Sequence, residues 1–431
     1  MGAPPLSVAI VGAGIIGAAV ATELLADGYR VSIIEPGTPG GEQSASYGNG
    51  CWLNPGSIVP TSLPGLWRDV PGFLTDPLGP LAIRWNYFPR LTPWLVRYLR
   101  AGATIQKVRA IAGALRPLLA DAPKRHRRLA ARAGVAELIQ RNGLLYIFPS
   151  RADFAADALA WRLRRENGIR WIEIGEDELR QREPALDRRY RFAVLIEEGG
   201  HCTDPGSYVA ALVQHAVSSR AEFYRTRATG FALEGRRLRA VLTEAGKIPC
   251  DKAVIAAGAF AKPLAAAAGD KVSLETERGY HAIILDAESG PRTPLMPSDG
   301  RMSHVMTQYG LRIAGQVELA GLAAAPNWRR AEILKEFALK TYPGLPRSLP
   351  PERVRFWMGH RPATPDSLPC IGPASASPDI FHAFGHGHVG LAAGAATGRL
   401  VADLIGGKPP ELDPLPYSPQ RFGHSGSQTS G

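Results

Sequence analysis

The chain has 431 residues, a formal net charge of +11, 45% apolar residues and four cysteines. That length exceeds what one hydrophobic core normally spans, so two domains are expected. Cys51, Cys202, Cys250 and Cys370 lie far apart, which excludes a CxxC metal pair and a dense disulfide framework and favours a reducing compartment.

An apolar run from Ser7 to Val11 predicts a buried strand, followed by the turn Gly12-Ala13-Gly14-Ile15-Ile16-Gly17 and an Ala-rich helix to about Ala26. After a turn at Gly28, a second apolar strand runs from Val31 to Ile34 and ends at Glu35. Gly12 permits the tight turn, Gly14 lets backbone approach a pyrophosphate, and Gly17 lets helix and strand pack closely. The helix N-terminus presents unpaired N–H groups and its positive dipole end to phosphates. Glu35, 18 residues past Gly17, falls where an acid accepts hydrogen bonds from the adenosine ribose. Together these features predict a dinucleotide site. The stretch is too glycine-interrupted for a spanning helix and lacks a basic leader, so it reads as fold and not as signal peptide. No other window of about 18 uninterrupted apolar residues predicts a transmembrane segment.

A polar loop, Gly37 to Gly50, follows. Between Arg84 and Arg132 stand twelve Lys or Arg residues against one acid, Asp121, with Trp85, Tyr87, Phe88, Trp94 and Tyr98 among them. Three readings stay open for this segment: a solvated helical face, a face docking on anionic lipid, and a nucleic-acid surface. Pro93 to Gly134 reads as helical, Leu144 to Phe148 as a strand and Asp153 to Asn167 as a helix. Tyr208 to Ser218 reads as a helix entered through a cap at Asp204-Pro205-Gly206-Ser207. The strand Ala253 to Ala256 delivers Ala257 and Gly258 to a sharp turn, where small residues let a cofactor pass close to the backbone. Gly279 to Gly321 alternates Thr, Tyr, Val and Ile with turns, which predicts a mostly antiparallel sheet. The chain closes on a Gly-rich strand and helix, Ile380 to Ile405, with Phe384-Gly385-His386-Gly387-His388-Val389-Gly390-Leu391 between them. Flexible backbone at that helix N-terminus suits an anionic ring or phosphate. His386 and His388 have no accompanying Cys, Asp or Glu cluster, so no metal is expected.

Nucleotide-type texture at the start, near residue 255 and near residue 385 predicts an α/β (mixed α+β) fold. Its Rossmann-like nucleotide domain is discontinuous, and a mainly antiparallel-sheet substrate domain is inserted. The boundaries read as 1–84, 196–271 and 356–418 for the nucleotide domain, 85–195 and 272–355 for the substrate domain, and 419–431 as a disordered tail.

The stretch from Gly359 through Arg361-Pro362-Ala363-Thr364-Pro365-Asp366 to Leu368-Pro369-Cys370-Ile371-Gly372, then the GHGHxGL loop, resembles the D-amino-acid oxidase superfamily of FAD enzymes. Ser46-Tyr47-Gly48-Asn49-Gly50 and Arg278-Gly279-Tyr280-His281 resemble its bacterial D-amino-acid dehydrogenase branch. The resemblance, from about residue 7 to residue 410, implies a glutathione-reductase-2-like fold. It puts Gly12, Ala13, Gly14, Ile15, Ile16, Gly17 and Glu35 on the ADP half of FAD. It further implies Ser44, Ser46, Asn49, Gly50 and Cys51 along phosphates and flavin, Ala257 and Gly258 beside the cofactor, and Gly387, His388, Val389 and Gly390 facing the flavin pyrimidine. Arg361 matches the arginine that grips the substrate carboxylate through two parallel charge-assisted bonds.

Tyr280 corresponds to a pocket-lining residue of relatives, a buried tyrosine with a satisfied hydroxyl being the other reading; His388 joins it and Arg361 as a catalytic candidate. His281, His304 and His360 read as ordinary polar or core histidines. Relatives with covalent flavin attach it through Cys or His; Gly359 stands before the Arg-Pro pair here and no His lies in residues 37–50, so non-covalent FAD is implied.

The implied reaction is oxidation of the Cα–N bond of a small D-amino acid, with hydride transfer from Cα to flavin N5 and hydrolysis to a 2-oxo acid and ammonia. Electrons would pass to a quinone or another acceptor. Secondary or cyclic amines such as D-hydroxyproline, D-proline or sarcosine are the nearest alternative. A tRNA carboxymethylamino group is a remote one, and no nucleic-acid partner is expected. The enzyme reads as cytoplasmic, with peripheral membrane contact through residues 84–132 left open.

Overall fold

The computed structural model describes residues 5–422 apart from Pro77 and Pro80; the expected tail residues from 423 onward lie outside the described residues. A six-stranded sheet is ordered Glu222–Tyr224, Arg30–Ile34, Ser7–Val11, Lys252–Ile255, Ile380–Phe384 and Cys370–Pro373. Its first five strands are parallel and the last is antiparallel. Val8, Ala9, Ile10, Val254 and Ile255 are fully or almost fully buried, as strands covered on both faces must be. Three widely separated stretches of chain therefore complete one nucleotide-type sheet. Its strands end together at Val11, Ile34, Ile255 and Phe384, and such carboxyl ends are where ligands bind in open α/β sheets.

Two helices pack on this sheet with unusually little between them. The Gly390–Gly406 helix lies on Ile15–Ala26. A Cβ at Gly394 would stand 2.9 Å from Ile15, and one at Gly398 would stand 2.9 Å from Ala19. Small residues four apart on one face permit this approach, and the helices begin side by side at the sheet's open edge.

A nine-stranded sheet forms the second layer. Val354–Ala363, Glu275–Leu285, Gly310–Leu319 and Ser303–Thr307 run antiparallel in that order. Leu295–Pro297, Leu144–Phe148, Phe192–Ile196 and Ile172–Ile174 continue it, with a parallel pairing between the first two. The antiparallel texture expected from Gly279 to Gly321 is what forms. One face buries Tyr280, Ala282, Ile284 and Ile313 against Leu334 and Ala338 of the Arg329–Thr341 helix. The opposite face looks toward the nucleotide sheet.

Several boundaries differ from the expected ones. The helices Ile105–Leu119 and Ala122–Arg132 share a core with Ile15–Ala26 and Gly390–Gly406, because their apolar stripe (Val108, Ile111, Leu115, Leu129) finds its partner there. Leu81–Ile83 pairs with Val317–Leu319, and Val354–Ala363 with Glu275–Leu285, so both belong to the substrate sheet by hydrogen bonding. The single helix expected over 153–167 is two, Arg151–Ala156 and Ala158–Glu166. Residues 419–422, expected in a disordered tail, form a turn: Pro419 is buried and Arg421 pairs with Asp366 at 2.8 Å. By length and composition Gly387–Gly406 could cross a membrane, yet 72% of that window is buried inside the molecule.

Candidate active site

A cavity of 2560 Å³ runs between the two sheets, several times the volume that a small ligand needs. Gly12, Gly14, Ile15, Ile16, Glu35, Ser44, Ser46, Asn49, Gly50, Ala257, Gly258, Arg361 and Gly387 to Gly390 all line it. Candidates scattered over the chain thus meet around one cavity.

The N-terminal turn is built as its glycines require. Gly12 has φ +108°, a left-handed conformation that only glycine adopts cheaply, and a Cβ there would lie 2.5 Å from the Ala256 carbonyl oxygen. A Cβ on Gly17 would fall 1.9 Å from the Gly12 carbonyl oxygen, so its task is helix–strand contact and it does not line the cavity. Ala13 is likewise buried behind the wall. The Ile15 N–H donates to Ser46 Oγ at 3.0 Å, which ties the 44–50 loop to the helix start. Glu35 accepts from the Ala13 N–H at 3.0 Å and the Gly37 N–H at 2.9 Å; its carboxylate is fixed at the cavity edge by the turn it serves. Arg227, Ala228 and Thr229 stand in the same wall, brought there by the pairing of Glu222–Tyr224 with Arg30–Ile34. No local motif marks them.

Side chains from the substrate sheet clamp the 37–50 loop from the far side. Trp357 Nε1 donates to the Glu42 carbonyl at 2.9 Å. The His281 ring meets the Gly48 carbonyl at 3.2 Å and stacks on Trp357 at 5.1 Å. Arg312 donates to the Tyr47 and Asn49 carbonyls at 3.1 and 3.2 Å. Cys51 adopts φ +67° and is fully buried, with Arg312 Nη1 3.5 Å from its Sγ. Its side chain does not line the cavity, and burial pushes its thiol up. It therefore shapes the loop from behind.

Arg361 lies on the Val354–Ala363 strand directly opposite Glu277. Its guanidinium donates to the Gln316 and Gly315 carbonyls at 3.1 and 3.4 Å. Gly279 makes room for it, since a Cβ there would stand 2.2 Å from Nη2. Burial draws the guanidinium pKa down and the Glu277 charge pulls it back up. His388 also lines the cavity, its side chain open to that space; enclosure between the cavity walls, then the Arg361 charge, lowers its pKa to about 4, so its ring is neutral at pH 7.

Tyr280 is elsewhere. Its hydroxyl donates to Glu318 Oε2 at 2.6 Å and accepts from the Asn327 N–H at 3.0 Å, on the helix-covered face. Side chains alternate along a strand: Glu277, Gly279 and His281 face the cavity side, and Tyr280 faces the core. The reading of a buried tyrosine with a satisfied hydroxyl holds. His304 pairs with Tyr342 in that core, whereas His360 lines the cavity beside Thr276. Sequence reasoning missed Glu277, whose parity with Arg361 depends on a strand register that no local pattern shows.

Of the twelve basic residues in 84–132, Arg84, Arg109, Arg116, Arg125 and Arg132 pair with Glu318, Glu166, Glu198, Glu411 and Glu23. Distant acids thus absorb much of that charge. Among the described residues, no cluster of His, Cys, Asp or Glu could hold a metal ion.

The glycine-lined turn, two helix starts and a cavity reaching from Glu35 to Arg361 fit a cofactor with a pyrophosphate at its middle. The model for the DAO family, FAD dependent oxidoreductase, matches residues 7–404. The chain is 56% identical over 415 residues to a D-amino-acid oxidase of Bradyrhizobium diazoefficiens, covering 96% of this chain and 98% of that one. It is 27% identical to D-amino acid dehydrogenase 2 of Mesorhizobium japonicum, covering 95% and 98%. Glycine oxidase from Geobacillus kaustophilus shares the fold, with a TM-score of 0.69 at 24% identity and coverage of 98% and 100%. L-proline dehydrogenase from P. horikoshii shares it too, with a TM-score of 0.69 at 20% identity and coverage of 98% and 99%. The chain belongs to the DAO family of FAD-dependent oxidoreductases.

Proposed function

We propose that this enzyme oxidises the Cα–N bond of small D-amino acids, with hydrolysis of the imino acid to a 2-oxo acid and ammonia. Arg361 carries the reading: a guanidinium on the cavity wall, bonded only to backbone carbonyls on one side, is suited to a substrate carboxylate. The D configuration rests on the name of the relative at 56% identity. When bound, FAD supplies the two-electron acceptor for the hydride that leaves Cα. The chain's part is to hold the ADP half along Gly12, Gly14 and Ile16, to fix the carboxylate, and to shield the reacting carbon from water between two sheets. Anaerobic bleaching of the flavin absorbance with a panel of D-, L-, N-methyl and cyclic amino acids tests this. Reduction by D-amino acids is expected, and reduction by N-methyl or cyclic amines alone would replace the substrate class.

The cofactor is held without a covalent bond, a reading supported by Gly359 standing before the Arg-Pro pair and by a cavity lining without cysteine among the described residues, and acid denaturation is expected to release the flavin. Electrons then pass to a quinone or another acceptor, which reoxidation by oxygen against a soluble quinone distinguishes. Four free thiols support a cytoplasmic setting. Docking on anionic lipid would fall to exposed Arg97 and Arg100, beside exposed Val96 on the Phe88–Ala101 helix. Salt-sensitive sedimentation with anionic vesicles, lost when both arginines are reversed, is the expected result for that contact.

A further inference from the structure

The cavity holds a second charged group that the carboxylate site leaves without a task. Glu277 and Arg361 are register partners in an antiparallel pair, so their Cβ atoms stand about 5 Å apart on one face. Glu277 is 7% exposed and lines the cavity. Among the described residues, Arg361 is the one charge that acts on its carboxylate, and no hydrogen-bond donor does. An unpaired buried carboxylate is costly, and Arg361, the obvious counter-ion, spends its donors on Gln316 and Gly315 instead. The cavity thus offers one positive and one negative pole side by side. An α-amino acid likewise carries one negative and one positive group side by side, its carboxylate and its ammonium on one carbon.

Building on the amino-acid reading above, we propose that Glu277 receives the substrate's α-ammonium group while Arg361 holds the carboxylate, and takes one proton from it. In that step an N–H bond of the ammonium breaks and an O–H bond forms on the Glu277 carboxylate; no electron changes hands. The product is a neutral amine whose lone pair can stabilise the carbon as its hydride departs. Every titratable or charged neighbour is compatible. Arg361 opposes the upward push that burial gives Glu277. Tyr98, on the Phe88–Ala101 helix, stays protonated because burial and then Glu277 raise it. Both histidines on the loop before the last helix stay neutral: burial holds His386 near a pKa of about 3, and His388, open to the cavity, is lowered to about 4 by its enclosure between the cavity walls and then by the Arg361 charge. Glu277 is left as the base.

The test is anaerobic flavin reduction by the best amino acid at sub-saturating concentration, followed from mildly acidic to alkaline pH. In wild type the rate should rise with pH as Glu277 ionises and then level. In Glu277→Gln it should fall about a hundredfold or more at neutral pH and recover toward alkaline pH, where the free amine deprotonates in solution. Glu277→Asp should restore part of the neutral-pH rate. Acetate, a carboxylate without an ammonium, supplies a readout apart from turnover. Its affinity, read from perturbation of the flavin spectrum, should increase in Glu277→Gln because a like charge beside Arg361 is gone. A Glu277→Gln enzyme with the wild-type rate and profile overturns the proposal. So does a loss equal at every pH with acetate affinity unchanged, which marks a packing role. If no amino acid reduces the wild-type flavin, the substrate reading fails first and the assignment of Glu277 falls with it.

Discussion

Glycines clear space at both ends of the cavity, but for different occupants. At the N-terminal turn, Gly12 and Gly17 let backbone meet backbone: the atoms a Cβ would strike are the Ala256 and Gly12 carbonyl oxygens. What results is a surface of N–H groups with a helix dipole behind it, suited to phosphate. On the substrate sheet, Gly279 and Gly359 make room for side chains of the same sheet, the Arg361 guanidinium and the Trp357 ring. There recognition is done by charged side chains lying along a strand pair. A recognition surface made of backbone tolerates no added atom, because backbone cannot move aside. One made of long side chains gives way and loses geometry before it loses fold. The two ends should therefore fail differently.

The largest effect is expected from Gly17→Ala. The new methyl would sit 1.9 Å from the Gly12 carbonyl oxygen, so helix and strand must part. Overpacking of this kind costs about 1–3 kcal/mol and sometimes more, and here it falls on the phosphate turn itself. Purified Gly17→Ala should carry little or no flavin and melt at a lower temperature. Full flavin content would show that the two ends do not differ in the way argued.

Arg361→Lys is next. Lysine keeps the charge but loses the planar fork, so a loss of about 2–4 kcal/mol in transition-state binding is expected, roughly 30- to 1000-fold in kcat/KM. Flavin content and melting temperature should hardly change. Flavin reduction as fast as wild type at sub-saturating substrate would remove the carboxylate role from Arg361.

The same contrast decides what could be read in the sequence. Strand, turn, helix, strand and acid stand within residues 7–35, so the phosphate wall is a local object whose spacing is its structure. The GHGHVG loop was legible for the same reason, being a turn that opens a helix. The sheet wall is not local. Glu277 and Arg361 are 84 residues apart and meet only because two strands pair in one register. The resemblance points to Arg361; of the two readings of Tyr280, the pocket-lining one stands one residue out of phase with the cavity side, and a step of one reverses the face. The grouping of elements into layers turns on the same kind of distant contact. The basic helices of residues 105–132 look like part of the inserted domain until their apolar stripe is seen against the Gly- and Ala-rich helices.

Gly279→Ala sharpens the comparison by adding one methyl at the sheet end. Its Cβ would stand 2.2 Å from Arg361 Nη2, and a flexible side chain can yield where a carbonyl cannot. The guanidinium should swing out of place, lowering kcat/KM by about 5- to 150-fold for a strain of about 1–3 kcal/mol, with flavin content retained. Steady-state kinetics beside flavin content give the answer. Flavin loss like that of Gly17→Ala would mean that the sheet wall, too, is rigid.

The smallest effect on catalysis is expected from Tyr280→Phe, a change on the same strand as Glu277 and Gly279 but of opposite parity. The hydroxyl donates to Glu318 and accepts from the Asn327 N–H, so its removal leaves a buried carboxylate and a partly buried N–H short of a partner, at about 1–3 kcal/mol. That cost falls on the core between the sheet and the Arg329–Thr341 helix, where no substrate atom reaches. Denaturant unfolding should show the loss of stability, while kcat/KM and its pH profile stay near those of wild type. A kcat/KM that collapses in a flavin-loaded, folded Tyr280→Phe would return the tyrosine to the substrate and reverse the assignment of faces on which Glu277 depends.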